Sequence, residues 1–289
     1  MSGASLQDIK RRSKSVSSIE HITSAMKLVS AAKLRRAKAT YESTREYLHL
    51  VTEAIEDIFN NHAGDIPSKF VLGNREAGKT CFVVVTSNRG LAGSFNSNII
   101  KRAEKAMQRD DHEPMLITVG SKGYDYFSRR GYKILENTNR APETIQFHHS
   151  RLIGKPALNL FDAGELARVV LIHTAFVSPL EQRPHSAQLL PFEIELDPEI
   201  GQHERYMEYE PAPDQLFDYL VRKYVEIMIH GAIVESATCE HAARRIAMES
   251  ATDNAHTMIA DLNLSYNRAR QAAITSEITE IVSGADALK

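Results

Sequence analysis

The stretch GNREAGKTCFVVVT, residues 73–86, poses the first choice between folds. Gly73 to Thr80 fits G-x-x-x-x-G-K-[ST], the phosphate-binding loop pattern, at every fixed position. Such a loop works only when a strand delivers it and a helix follows, because amides at the helix start must point at the phosphates. Here Lys79 leads straight into Thr80–Thr86, a β-branched and apolar run of strand length. The order is loop then strand, so GNREAGKT reads as a connector that carries the pattern by chance. Lys79→Ala is expected to leave folding and ATP affinity unchanged. Equilibrium dialysis checks this, and a large loss of nucleotide binding would reverse the reading.

Working outward, Met115–Val119 and Arg168–His173 are two more short apolar runs, and Ser186–Leu196 reads as a later strand near the domain edge. Helical stretches at Asn96–Arg109 and Lys122–Arg130 separate them, an alternation that predicts an α/β domain with a mostly parallel, Rossmann-like sheet. Pro142–Lys155 is expected to be a loop. Ser87–Asn96 follows the first strand and opens a helix, but its glycines are spaced G-x-x-G, and no acidic residue ends a second strand where a dinucleotide site needs one.

The flanks differ in kind. All ten prolines lie between Pro67 and Pro213, Ala4–Ala63 holds neither proline nor glycine, and Asp214–Ser283 holds only Gly231. Proline costs about 3 kcal/mol and glycine about 1 kcal/mol in a helix interior, so these stretches predict two very long helices, roughly 80 and 100 Å at 1.5 Å per residue. Apolar residues recur by threes and fours at Ile19, Ile22, Met26 and Val29, then from Ala37 through Tyr41, Thr44, Leu48, Val51 and Ile55 to Ile58, with a break of phase near Lys33–Arg36. The terminal helix, begun by an Asp214 cap, repeats the pattern through Leu216, Leu220, Tyr224, Ile227, Val234, Met248, Ile259, Leu262 and Tyr266. Ser5 with Asp8 offers a cap for the first helix. Each stripe needs a cover, and an antiparallel coiled coil of the two ends supplies it. The expected organisation is 1–66 and 213–289 as coiled-coil helices around an α/β domain at 67–212.

The chain has 289 residues, 43% of them apolar, and a formal charge of −2, so it has no whole-chain field to recruit nucleic acid. Cys81 and Cys239 have no metal-ligand spacing and read as packing residues. No run reaches the 18 apolar residues of a membrane span. His148-His149 and Cys239-Glu240-His241 do not form a zinc pattern, and no catalytic triad is recognisable. Lys10, Arg11, Arg12, Lys14, Lys27, Lys33, Arg35, Arg36 and Lys38 are opposed within their stretch only by Glu20. Such a cluster suits nucleic-acid phosphates or an acidic protein partner equally well.

Ile9–Arg12 and His21–Ala37 resemble the amino-terminal helix of the gamma subunit of F-type ATP synthases, and Ala251–Ala255 with Tyr266–Ala285 resembles its carboxy-terminal signature. Thr86–Gly93 is similar to that family's central strand and turn, while Ser13, Glu20-His21 and Ser94-Phe95 depart from its commonest pattern. The resemblance implies a rotor shaft, non-catalytic and without cofactor or metal, turning inside a ring of alpha and beta subunits. Its foot would meet the epsilon subunit and the membrane c-ring at the cytoplasmic face of a bacterial cell membrane. The motif match carries over Met26, Lys27, Arg244, Arg270, Gln271, Thr275 and Glu277 as contacts to the ring, and Arg205, Tyr206, Met207, Tyr209 and Glu210 as foot contacts. Ala272, Ala273, Ile274, Val282, Ala285 and Ala287 suit a smooth bearing at the tip, as they suit plain coiled-coil packing.

Overall fold

A computed structural model describes residues 6–61, 68–74, 76–193, 210 and 212–286. The two long helices are present as α1 (Leu6–Asn61, 56 residues) and α6 (Pro213–Asp286, 74 residues). Between them come α2 (Lys69–Leu72), β1 (Lys79–Val85), α3 (Phe95–Met107), β2 (Glu113–Val119), α4 (Ser121–Ser128), β3 (Lys133–Thr138), α5 (Phe147–Asp162), β4 (Arg168–Phe176) and β5 (Gln182–Leu190). The chain divides into two compact units, one of Met1–Ser30 with Arg244–Lys289 and one of Ala31–Ala243.

The larger unit is built on a five-stranded sheet of order β3-β2-β1-β4-β5. The first four strands are mutually parallel and β5 runs antiparallel to β4. Both faces of the sheet are covered, which is why β1 reads as a continuous apolar run and not as an alternation. Phe82, Val84, Leu116 and Ile172 pack on Ile99, Ala103 and Phe127 of α3 and α4. Cys81, Val83, Ile117 and Leu171 face the other way, into a core with Ile55 of α1, Phe161 of α5, and Phe217, Val225 and Ile233 of α6. Both cysteines are buried and unbridged, and burial pushes the Cys81 thiol up to about 12. They are packing residues, as their positions in the sequence suggested.

Several expectations change. The segment Pro142–Lys155 is a short 3-10 turn followed by most of α5. Pro156 sits inside that helix and removes a hydrogen bond to Leu152, whose side chain is exposed, so water can take the place of the lost donor. Burial of Ile153, Ala157, Leu158 and Phe161 outweighs the cost. The later strand spans Gln182–Leu190, earlier than Ser186–Leu196, because the turn at Ser178 and Glu181 pairs β5 with β4 from Gln182 onward; residues 194–196 lie outside the described ones. Strand β3, which the apolar runs did not announce, is the outer edge of the sheet and only half-buried. Asp214 falls inside the first turn of α6, which begins at Pro213; Ser5 lies outside the described residues.

The phosphate-loop lookalike has structural employment. Strand β1 begins at Lys79, so no helix follows the loop. Gly73 has φ 68° and a Cβ there would come within 2.6 Å of the Pro191 ring. The Asn74 amide donates to the carbonyls of Phe161 and Leu166, both at 2.9 Å, tying the connector to the end of α5.

At the amino-terminal edge of the sheet, Asp110 accepts from Arg168 at 2.9 Å and from the His112 backbone at 3.0 Å, with His112 Nδ1 at 2.8 Å. Burial alone would raise this carboxyl, but the His112 bonds and the Arg168 charge outweigh it and hold it below its ordinary 3.8. A depressed folded-state pKa gives stability that is present above the unfolded value and lost as pH falls through the folded one. Asp110→Asn should therefore lower Tm at neutral pH, with the gap to wild type closing as pH drops below about 4. Thermal unfolding at stepped pH checks this.

Candidate subunit interface

In the smaller unit the two helices run antiparallel. Thr252 Oγ1 donates to Thr23 Oγ1 at 2.8 Å, Thr23 in turn donates to the Glu20 carbonyl at 3.0 Å, and His256 Nε2 lies 3.6 Å from Glu20 Oε1. The residues turned inward on α1 are Ile9, Val16, Thr23 and Ser30, and on α6 Met248, Thr252, Ala255, Ile259, Leu262, Tyr266, Ala269 and Ala273. This seam mixes small and polar residues with larger apolar ones. Small side chains let helix backbones approach, and the paired hydroxyls satisfy each other where water is excluded.

That arrangement corrects the predicted seam. Ile19 is 50% exposed, Ile22 59% and Val29 56%, and only Met26 of that set is half-buried. Counting back by sevens from Ile58 gives Val51, Thr44, Ala37, Ser30, Thr23, Val16 and Ile9, and each of these is buried or half-buried. No phase break occurs. The apolar residues of the first helix change sides because two polar residues, Thr23 and Ser30, occupy the heptad positions, and the isoleucines are left facing outward. The information was in the sequence: extending the Ala37–Ile58 register would have found it.

Large exposed apolar side chains in this unit are Ile19, Ile22, Leu28, Val29, Met258, Leu264, Ile274, Ile278, Ile281 and Val282. Ten such residues on so short a length of two helices is far beyond the scattered exposure usual on a soluble surface. Among the described residues of α6 the half-buried positions end at Ala273, and Ile274, Ile278, Ile281 and Val282 beyond it are all exposed. Of the tip residues named from the sequence, Ala285 and Ala287 lie where no side chain is described.

The expected contact residues are not equivalent. Arg270, Gln271, Thr275 and Glu277 are exposed on the last part of α6, where Thr275 Oγ1 donates to the Gln271 carbonyl at 2.9 Å. Met26 and Lys27 are half-buried. Arg244 is 8% exposed and engaged within the chain, so it is the least available of the set. Glu210 is exposed, while Arg205, Tyr206, Met207 and Tyr209 lie outside the described residues.

In the larger unit the basic cluster is partly used internally. Lys33 Nζ meets Glu143 Oε1 at 2.7 Å; burial would raise the Glu143 carboxyl, but the bond and charge of Lys33 bring it below its usual range. Lys38 pairs with Glu42 at 3.6 Å. Arg35 and Arg36 are exposed. Among the described residues no helix is long and apolar enough to cross a membrane, and no group of three or more His, Cys, Asp or Glu side chains could hold a metal ion.

Residues 5–288 match a family model described as ATP synthase. The chain is 44% identical over 295 residues to the ATP synthase gamma chain of Alkaliphilus metalliredigens, covering 99% of this chain and 100% of that one. It is 42% identical to the gamma chain of Symbiobacterium thermophilum, with 97% of each covered. Among solved structures, the rotor of Euglena gracilis mitochondrial ATP synthase superposes with a TM-score of 0.63 at 15% identity, over 93% of this chain and 98% of that one. The central stalk and c-ring structure of the Tetrahymena thermophila mitochondrial enzyme gives 0.59 at 22%, over 80% and 99%. At those identities the structural likeness speaks for the fold.

Proposed function

Because this chain belongs to the ATP synthase gamma-chain family, we propose that it is the central rotor shaft of an F-type ATP synthase, coupling ion-driven rotation of a membrane ring to conformational change at catalytic sites on the beta subunits. It performs no bond chemistry and holds no nucleotide. Residues 1–66 and 213–289 supply the shaft, and 67–212 the α/β base. The alpha and beta subunits surround the shaft; epsilon and the c-ring meet the foot, at the cytoplasmic face of a bacterial cell membrane.

The observation that carries this reading is the helix pair that seats Thr23, Ser30 and Thr252 among its inward residues while leaving Ile19, Ile22, Leu28, Val29, Leu264 and Ile274 exposed. Water is a poor solvent for such a surface, and an enclosing sleeve relieves the cost at about 25 cal/mol per Å² of apolar area covered. Arg270, Gln271, Thr275 and Glu277 would be contacts at the tip, with Met26, Lys27 and Arg244 toward the neck. Arg205, Tyr206, Met207, Tyr209 and Glu210 would belong to the foot.

The test is assembly. Co-expressed with alpha and beta subunits, the wild-type chain is expected to co-purify with them, and the complex in sealed vesicles to make ATP from an ion gradient. Replacing Ile19, Ile22, Leu28 and Val29 together by serine should leave the circular dichroism of the free chain unchanged while lowering recovery of the complex several-fold. Failure of the wild-type chain to associate with alpha and beta subunits, or full assembly by the quadruple variant, would sink the reading.

A further inference from the structure

We propose that the cavity between α5 and α6 binds a small polyphosphate anion of the size of pyrophosphate. It has a volume of about 300 Å³ and lies wholly within the larger unit. Arg151, Lys155 and Leu158 line it from α5, and Arg222, Lys223 and Glu226 from α6, so four cations face one carboxylate.

The frame that carries these charges is fixed at two points. Ser150 Oγ lies 3.0 Å from His230 Nδ1, and Gly154 lets the two helices close, since a Cβ there would come within 2.9 Å of Ile229 Cδ1. Arg151 and Lys155 each directly follow one of these contacts. Their backbone is thereby held against α6 while both side chains remain exposed. Groups presented from packed helices keep a binding geometry that groups on loops lose.

The charge on this frame is not balanced from within. Asp162 serves both Arg222 and Lys69, and Glu226 is taken by Lys223 at 2.9 Å. Among the described residues Arg151 and Lys155 have no acidic partner, and α5 carries no acidic residue before Asp162 at its end. The two cations stand at i and i+4, where like charges repel and a carboxylate at either position would stabilise the helix. A solvated helix face ordinarily alternates in sign, and this one does not. An anion with several oxygens answers the whole set. The guanidinium of Arg151 offers a planar fork and the Lys155 ammonium three donors, and Arg222 and Lys223 have more N–H groups than their single carboxylates use. A monoanion would neutralise one cation and leave the others opposed, whereas two linked phosphates span them. No aromatic side chain lines the cavity, so it has nothing to hold a nucleobase.

The experiment is calorimetric titration of the folded full chain with sodium pyrophosphate, without divalent cations, at constant ionic strength set with chloride. Because it uses the chain alone, its result is independent of whether the rotor reading holds. Wild type should bind saturably with one equivalent. Arg151→Gln and Lys155→Gln together should weaken pyrophosphate at least tenfold. Their Tm should be unchanged or raised, because the pair removed is a repulsive one, so lost binding cannot be put down to lost folding. Lys101→Gln and Lys105→Gln take the same charge from an exposed, equally spaced pair on α3 and should leave the affinity as it was. Absence of saturable binding by the folded wild type, unchanged affinity in the Arg151 and Lys155 double variant, or an equal loss in the α3 double variant overturns the proposal.

Discussion

Glu235→Ala should cost the larger unit about 3–5 kcal/mol, the loss expected when one side of a buried polar network is removed. Its Oε1 accepts from the Tyr41 hydroxyl at 3.0 Å and the Phe176 backbone at 2.9 Å, while Oε2 lies 3.0 Å from His173 Nε2. Three elements, α1, β4 and α6, meet on this one carboxylate. Alanine leaves all three without this acceptor, His173 in the most buried setting, and His173 and Thr174 already carry atoms with no partner of their own. Burial would raise the Glu235 carboxyl, but the bonds and charge of His173, with the Phe176 amide and Tyr41, hold it below its usual range. Tyr41 goes the other way, up to about 12, through burial and then the adjacent Glu235 charge.

The sign of the pH dependence follows. With a depressed folded-state pKa, Glu235 stabilises the fold above the ordinary carboxylate range and ceases to do so as pH falls through its folded value. Glu235→Gln keeps an acceptor and should cost less, about 1–2 kcal/mol, with a flatter acid limb. Urea unfolding of wild type and both variants at pH 7 and pH 4 separates the contributions; equal losses for alanine and glutamine would show that the carboxylate charge, and not the acceptor that glutamine keeps, is what the site uses. For a torque-bearing shaft the consequence is mechanical, since this cluster ties both long helices to the sheet.

Gly120→Ala should be about as severe, roughly 3–5 kcal/mol, by a different route. Gly120 ends β2 with φ 92°, where an L side chain is strained by about 1–3 kcal/mol. An added Cβ would lie 2.4 Å from the Thr86 carbonyl oxygen and 2.7 Å from its carbon, and that carbonyl is backbone at the end of β1. Relief requires parting the two central strands, for about 1–3 kcal/mol more. Thr86 cannot move freely: its N–H donates to the Val119 carbonyl at 2.8 Å, and its hydroxyl accepts from Gly123 N at 2.9 Å and donates to the same Val119 carbonyl at 2.9 Å. Denaturant midpoints would record the loss, and a change below 1 kcal/mol would mean the strand ends are softer than their hydrogen bonds imply.

Much of the architecture was legible before any coordinates. Absence of proline and glycine marked α1 and α6, since a backbone that avoids both over such lengths has few alternatives to a helix. The order of GNREAGKT and the strand after it disposed of a nucleotide loop. Strand β3 and helix α5 were missed for opposite reasons. The first is an edge strand whose polar residues face water. The second carries Pro156 and two adjacent histidines, turn-like signals that buried Ile153, Ala157 and Phe161 override. The asparagine that ties the connector to α5, Asn74, gave no signal, because its partners lie 87 and 92 residues further on.

The amino-acid order alone determined that this chain has two long terminal helices around an α/β sheet, because helix propensity and strand periodicity act over a few residues. On the first helix the Ala37–Ile58 register, extended back, and the apolar stripe at Ile19–Val29 point to different sides, and tertiary structure decided between them. Burial is a property of the partner surface as well as of the residue, and the facing helix presents Thr252, whose hydroxyl donates to that of Thr23.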